Sequence, residues 1–222
     1  MKAMILAAGR GERLRPLTDE LPKPLISVGG RALIEHHLLA LRDLGVDEVV
    51  INVAYRAGQL RDFLGDGGRY GLMLHYSDES SCLLGTGGGI VKALPLLGDA
   101  PFLLLSADIW LASLALPRDL PSNKRGCLLM VENRPEHTAG DYAMTPEGCL
   151  TMGKPRLTYA GVGLLDPILF SGMPLAPFEL SAVFKRAIAD GQLMGQMLKG
   201  NWFNVGTPAV LASVREALAP GA

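Results

Sequence analysis

Cysteine is scarce in this sequence: Cys82, Cys127 and Cys149 are odd in number, widely spaced and form no CxxC pair. That excludes a disulfide or zinc framework and predicts a reducing compartment with buried or incidental thiols. An excess of one charge is lacking too. The 21 Lys and Arg against 22 Asp and Glu give a formal net charge of −1, so there is no global basic field to hold nucleic acid. No apolar run is long enough to span a bilayer. Residues 1–8 mimic the start of a signal peptide, but the apolar stretch is short and Gly9-Arg10-Gly11-Glu12-Arg13 interrupts it at once. A cytoplasmic protein with neither a membrane nor a nucleic-acid partner is expected. Internal repeats are absent, as are a GxxxxGK[ST] phosphate loop and a Ser-His-Asp or Cys-His arrangement.

What the sequence does have is concentrated near its start. Residues 6–25 read LAAGRGERLRPLTDELPKPL. Ala7, Ala8, Gly9 and Gly11 carry almost no side chain, so a flat ligand can lie on bare backbone. Gly9 and Gly11 can take positive φ and let successive N–H groups converge on an anion. Arg10, Arg13, Arg15 and Lys23 add charge able to pair with phosphate oxygens. The stretch reads as a triphosphate cradle.

Apolar strands alternate with helical patterns along most of the chain. Strands are predicted at residues 2–7, 48–53, 72–76, 102–105 and 127–132, and helices at 33–45, 58–64, 90–97, 178–189 and 209–218. That order predicts an α/β fold with a doubly wound, mostly parallel sheet, whose ligands lie at the carboxyl ends of the strands. Short strands and turns after residue 141, including 157–165, read as a small β excursion over the substrate side. The glycine loop 84–89 (LGTGGG) precedes the fourth helix and suggests a second place where backbone approaches a ligand. Asp108, just past the apolar strand FLLL, is well placed to hold Mg²⁺ against a triphosphate. Residues 133–141 (NRPEHTAGD) read as a substrate loop in which His137 is an exposed loop residue.

Gly9, Gly11, Arg13, Leu14, Pro16, Leu17, Thr18, Pro22, Lys23 and Pro24 together resemble the GxGxRLxPLT…PKP signature of the sugar-1-phosphate nucleotidylyltransferases. LGTGGG, Asp108, Ala160-Gly161-Val162-Gly163 and the WFNVGT segment follow in the family's order, so the resemblance spans the whole chain. Within the family the sequence resembles the short N-acetylmuramate-1-phosphate uridylyltransferases of peptidoglycan recycling, through residues 92–105, Trp110 and the pattern Asn133, Pro135, His137, Gly140, Asp141, Tyr142. Mannose-1-phosphate guanylyltransferases are the alternative.

The resemblance implies one nucleotidyltransferase domain over 1–222, with a nucleotide half to about residue 115 and a sugar half beyond. Its substrates would be a nucleoside triphosphate and a sugar 1-phosphate, and its cofactor Mg²⁺. It further implies Arg13 and Lys23 on the reacting phosphates and Mg²⁺ on Asp108 and Asn204. The base would lie on Leu6, Ala7, Ala8 and Gly9 and against Gly85 and Thr86, with Gly11 in the cradle and the sugar at Asn133, Gly140, Asp141 and Gly161. Lys154, in Gly-Lys-Pro, resembles the lysine of the family's sugar-phosphate element at a shorter spacing. Asn204 stands where members have Asp. It keeps an oxygen donor and loses a charge that attracts the metal, which leaves a catalytically weakened sugar-nucleotide-binding protein as a second class of reading.

Overall fold

A computed structural model describes residues 1–219. In chain order its strands are β1 (Lys2–Leu6), β2 (Ser27–Val28), β3 (Arg31–Ala32), β4 (Glu48–Val53), β5 (Met73–Asp78), β6 (Phe102–Ser106), β7 (Ile109–Leu111), β8 (Gly126–Val131), β9 (Ala143–Met144), β10 (Leu150–Thr151), β11 (Thr158–Leu165), β12 (Leu193–Met197) and β13 (Trp202–Asn204). The helices are α1 (Leu17–Glu20), α2 (Leu33–Asp43), α3 (Ala57–Leu64), α4 (Gly85–Leu97), α5 (Leu180–Ala189) and α6 (Pro208–Ala217). These elements form two compact units built from interleaved segments. The first holds Met1–Leu83, Leu105–Ser113 and the chain from Gly200 on; the second holds Leu84–Leu104 and Leu114–Lys199. Helix α4 goes with the second unit, while β13 and α6 return to the first.

In the first unit β1, β4 and β5 are parallel neighbours, with Leu6 opposite Asn52 and Val53 opposite Asp78. Val49, Val50, Ile51 and Val53 of β4 are all buried, the near-continuous apolar run of a strand covered on both faces. Helix α2 buries Leu33, Ile34, His37, Leu38 and Leu41 on one face. The Glu35 carboxylate accepts the Ala32 N–H at its start (2.9 Å), and Gly45 at φ 79° ends it. Helix α6 begins on the Thr207 hydroxyl, which accepts from the Val210 N–H, with Pro208 in its first turn. Its Leu211 and Val214 close an apolar cluster with Leu14, Ile26, Val28, Leu33, Trp110 and Val205. Leu14 ties that cluster to the cradle segment.

His37 is fully buried in this unit and its Nε2 has no partner. Burial, and then neighbouring His36, push its pKa down to about 4, against a hydrogen bond with the Ile109 backbone and the charge of Asp108. The native state therefore stays unprotonated there while the unfolded chain takes up a proton near pH 6.5. Stability is whole above pH 6.5 and lost as the pH falls toward 4, by up to about 3 kcal/mol from this group. His37→Leu is expected to flatten that loss, measured as the difference in urea-unfolding free energy between pH 7 and pH 4.5.

In the second unit β8 pairs in parallel with β12 and antiparallel with β11. The expected β excursion over 157–165 is corrected here: β11 is a strand of the main sheet. Residues 160–165 are all buried, so this run needs cover on both faces, which a surface excursion cannot supply. The β9–β10 hairpin forms a separate two-stranded sheet. Helix α5 buries Leu180, Val183, Phe184, Ala187 and Ile188; Phe178, expected on its stripe, precedes it. The central sheet is mostly parallel and flanked by helices, as the alternation predicts.

Candidate active site

In the first unit the turn after β1 closes over one lysine. Gly11 sits at φ 67°, and a Cβ there would come within 3.0 Å of both Lys23 Cβ and Thr18 Cγ2. Its carbonyl accepts from the Thr18 hydroxyl (2.9 Å) and the Leu14 N–H (2.9 Å). Lys23 is held between these groups at 9% exposure, and its Nζ donates to Asp108 Oδ2 at 2.9 Å. The lysine expected on the reacting phosphates and the carboxylate expected on the metal, 85 positions apart, are thus in direct contact. Asp108 arrives there because β6 leads into it and the Ala107 N–H donates to Leu6 O (3.0 Å).

Asn204 is brought beside Asp108 by the β7–β13 pair. Asn204 stands opposite Ile109, and the Val205 N–H donates to Asp108 O at 2.7 Å. The next residue, Gly206, leaves room for Arg13: a Cβ would lie 3.1 Å from its Nη2. Arg13, Lys23, Asp108 and Asn204 therefore gather on one unit. Arg10 and Arg15 do not join them: Arg10 stacks over the Tyr55 ring (5.2 Å) and Arg15 pairs with Asp19 (3.1 Å).

The bare-backbone surface is braced from behind. The Ala7 N–H donates to buried Asn52 Oδ1 (2.7 Å), whose Nδ2 donates to the buried Glu79 carboxylate (2.7 Å). Sequence reading missed both residues. The one signal available was a polar residue facing Leu6 in an otherwise apolar strand. Gly9 is exposed, and a Cβ there would meet nothing within 4 Å.

In the second unit the glycines of LGTGGG have a packing reason. They lie inside α4, which starts at Gly85 and not at the expected Ile90. A Cβ on Gly87 would sit 2.2 Å from the Phe178 ring, and one on Gly88 2.2 Å from Ala176 O; one on Gly85 would sit 2.7 Å from Phe178 O. The Gly87 N–H donates to Phe178 O (2.9 Å), and the Thr86 hydroxyl donates to Glu179 Oε2 (2.8 Å) while accepting from the Leu180 N–H (2.8 Å). Gly88→Ala should destabilise the protein by about 1–3 kcal/mol, because a backbone carbonyl blocks the methyl. The equal clash at Gly87 is with a side chain, so Gly87→Ala should be rescued by Phe178→Leu, as a double-mutant cycle by thermal melting would read.

The expected sugar loop is a self-bonded unit. Asn133 Nδ2 donates to Thr138 O (3.1 Å) and Arg156 O (3.0 Å), and its Oδ1 accepts from the Thr158 hydroxyl (2.8 Å). Gly140, at φ 59°, packs on Asn133 and Arg156. Asp141 accepts the Tyr159 N–H on Oδ2 (2.8 Å) and lies 3.2 Å from His137 Nε2 on Oδ1. Gly161, at φ 77°, occupies the register shift of β11. Lys154 is exposed in the turn after β10.

For a metal ion, the Asp108 carboxylate and the Asn204 amide oxygen are the available donors. No group of three or more His, Cys, Asp or Glu among the described residues could form a protein-only cage. Mg²⁺ commonly binds through one or two carboxylates plus substrate phosphates and water. This donor pair fits such an ion, arriving with a triphosphate.

The nucleotidyl transferase family matches residues 2–123. The N-acetylmuramate alpha-1-phosphate uridylyltransferase of Neisseria meningitidis is 42% identical over 216 residues, covering 93% of this chain and 94% of that protein. A Caulobacter vibrioides protein of the same name is 35% identical over 233 residues, covering 98% and 96%. A Bacillus anthracis crystal structure assigned as a glucose-1-phosphate thymidylyltransferase, in complex with a sucrose, superposes with a TM-score of 0.83 at 18% identity, over 98% and 95% of the two chains. The last likeness speaks to the fold alone. The other two extend over nearly the full length of both partners, and with them the chain belongs to the nucleotidyl transferase family and is an enzyme, a sugar-1-phosphate nucleotidyltransferase.

Proposed function

We propose that this enzyme transfers UMP from UTP to N-acetylmuramate 1-phosphate, releasing pyrophosphate, with Mg²⁺ as cofactor, in the cytoplasmic recycling of peptidoglycan. The observation that carries the choice of substrates is the likeness, along almost the whole chain, to two uridylyltransferases named for that sugar phosphate. The first unit supplies chemistry that suits the reaction. A phosphate monoester loses its second proton near pH 6, so the attacking oxygen of the sugar phosphate is already an anion. It attacks the α-phosphorus in line with the departing pyrophosphate, and no general base has to be supplied.

What remains is to hold two anions together and to neutralise them. Lys23 bridges the attacking phosphate and the α-phosphate, and Arg13 holds the outer phosphates. The carboxylate of Asp108 keeps the Lys23 ammonium fixed until the substrates arrive. Gly9 and its neighbours offer backbone to the base. Mg²⁺, held by Asp108 and Asn204, would neutralise the oxygens on which charge builds up.

The test is a matrix of UTP, GTP and dTTP against the 1-phosphates of N-acetylmuramate, N-acetylglucosamine, mannose and glucose, read by pyrophosphate release. The highest kcat/KM should fall on UTP with N-acetylmuramate 1-phosphate; a maximum on GTP with mannose 1-phosphate would replace this reading. Asn204→Asp should lower the Mg²⁺ concentration for half-maximal rate by several-fold, because a second full charge then faces the ion. An unchanged Mg²⁺ dependence would remove Asn204 from the metal's surroundings.

A further inference from the structure

Arg156 is a half-buried cation beside the expected sugar loop that pairs with no carboxylate among the described residues. Its Nε and Nη2 donate to the carbonyls of Gly153 (3.2 Å) and Met152 (3.3 Å), both neutral. Arg125 of the same unit, by contrast, pairs with Asp166 (3.1 Å), while Lys124 and Arg186 also donate to backbone carbonyls, those of Gly191 and Leu169. Arg156 is also locked to the loop. Its carbonyl accepts from Asn133 Nδ2 (3.0 Å), and its Cβ lies 2.9 Å from where a Cβ on Gly140 would be.

A guanidinium carries five N–H donors in a planar fork, and two here are directed at carbonyls. The rest keep their donors and the whole positive charge, on a side chain already fixed in place. Such a group suits a carboxylate, which a guanidinium binds by paired charge-assisted hydrogen bonds. N-acetylmuramate differs from N-acetylglucosamine by one group, a lactyl ether ending in a carboxylate.

We propose that Arg156 binds the lactyl carboxylate and so selects N-acetylmuramate 1-phosphate over sugar phosphates without an acid. This rests on the proposed sugar. The carboxylate lies away from the reacting phosphorus, so the contact contributes to binding more than to the chemical step.

The experiment compares the wild type with Arg156→Gln and Arg156→Lys on N-acetylmuramate 1-phosphate and N-acetylglucosamine 1-phosphate, with UTP saturating. Arg156→Gln should raise KM for the first by about 10- to 100-fold, the usual loss for hydrogen bonds to a charged group. Its kcat should change little, its KM for the second sugar should stay the same, and Arg156→Lys should recover part of the loss. An unchanged KM for the muramate substrate overturns the inference alone, as does an equal rise for both sugars, which is the mark of a damaged loop. A wild type that fails to use N-acetylmuramate 1-phosphate overturns the sugar assignment and this inference together.

Discussion

Lys23→Met is expected to lower kcat/KM by about 10²- to 10³-fold, the usual cost of removing one preorganised charge-stabilising donor from a reacting centre. Methionine keeps the stem that packs on Gly11 and Thr18, so the change removes the ammonium and little else. The remaining Asp108 side chain is about one-third exposed and can be hydrated, so the melting temperature should shift by only a few degrees. Arginine should not substitute. It is longer and planar, and a Cβ on Gly11 would already be 3.2 Å from Lys23 Cδ. Initial rates of pyrophosphate release beside a thermal melt separate the two effects. Near-normal turnover of a folded Lys23→Met protein would remove Lys23 from the reaction.

Gly11→Ala is expected to be nearly as costly, for a different reason. At φ 67° any side chain is strained, by about 1–2 kcal/mol. The new methyl would also meet Lys23 Cβ and Thr18 Cγ2 at 3.0 Å. The protein should fold, with Lys23 displaced. Since a misplacement near 1 Å can cost about 100-fold, kcat should fall by 10- to 100-fold. Gly9→Ala is the contrast. Its methyl meets nothing in the protein within 4 Å, so stability should hold, while the filled surface should raise KM for UTP. If the two glycine variants behaved alike, the difference drawn between a packed and an open glycine would be wrong.

Much of the first unit was legible because its chemistry is dense in sequence. Gly11, Thr18 and Lys23 lie within 13 residues, and Asp108 stands at the end of an unmistakable apolar strand. Strand β4 has the predicted bounds because β-branched residues fill it. Legibility fails where a residue's meaning lies far along the chain. Gly87 and Gly88 invite the idea of ligand approach, yet what fills the space is Phe178 and Ala176, some 90 positions away. Asn52 and Glu79 brace the backbone at Ala7 through a buried hydrogen-bond chain that no local pattern announces. Strand β11 reads locally as a surface excursion because Gly161 and Gly163 interrupt the apolar pattern of a run that is buried. Arg156 shows the same limit: the residues that hold it, Asn133 and Gly140, lie 23 and 16 positions away.

The central claim is that this chain supplies cations to hold two phosphates in line and supplies no nucleophile of its own. The most direct measurement uses UTP made chiral at the α-phosphorus by sulfur and follows the configuration of the sugar-nucleotide product. A single in-line attack by the sugar phosphate predicts inversion at that phosphorus. Retention would mean two successive displacements through a nucleotidylated side chain, and would contradict the account.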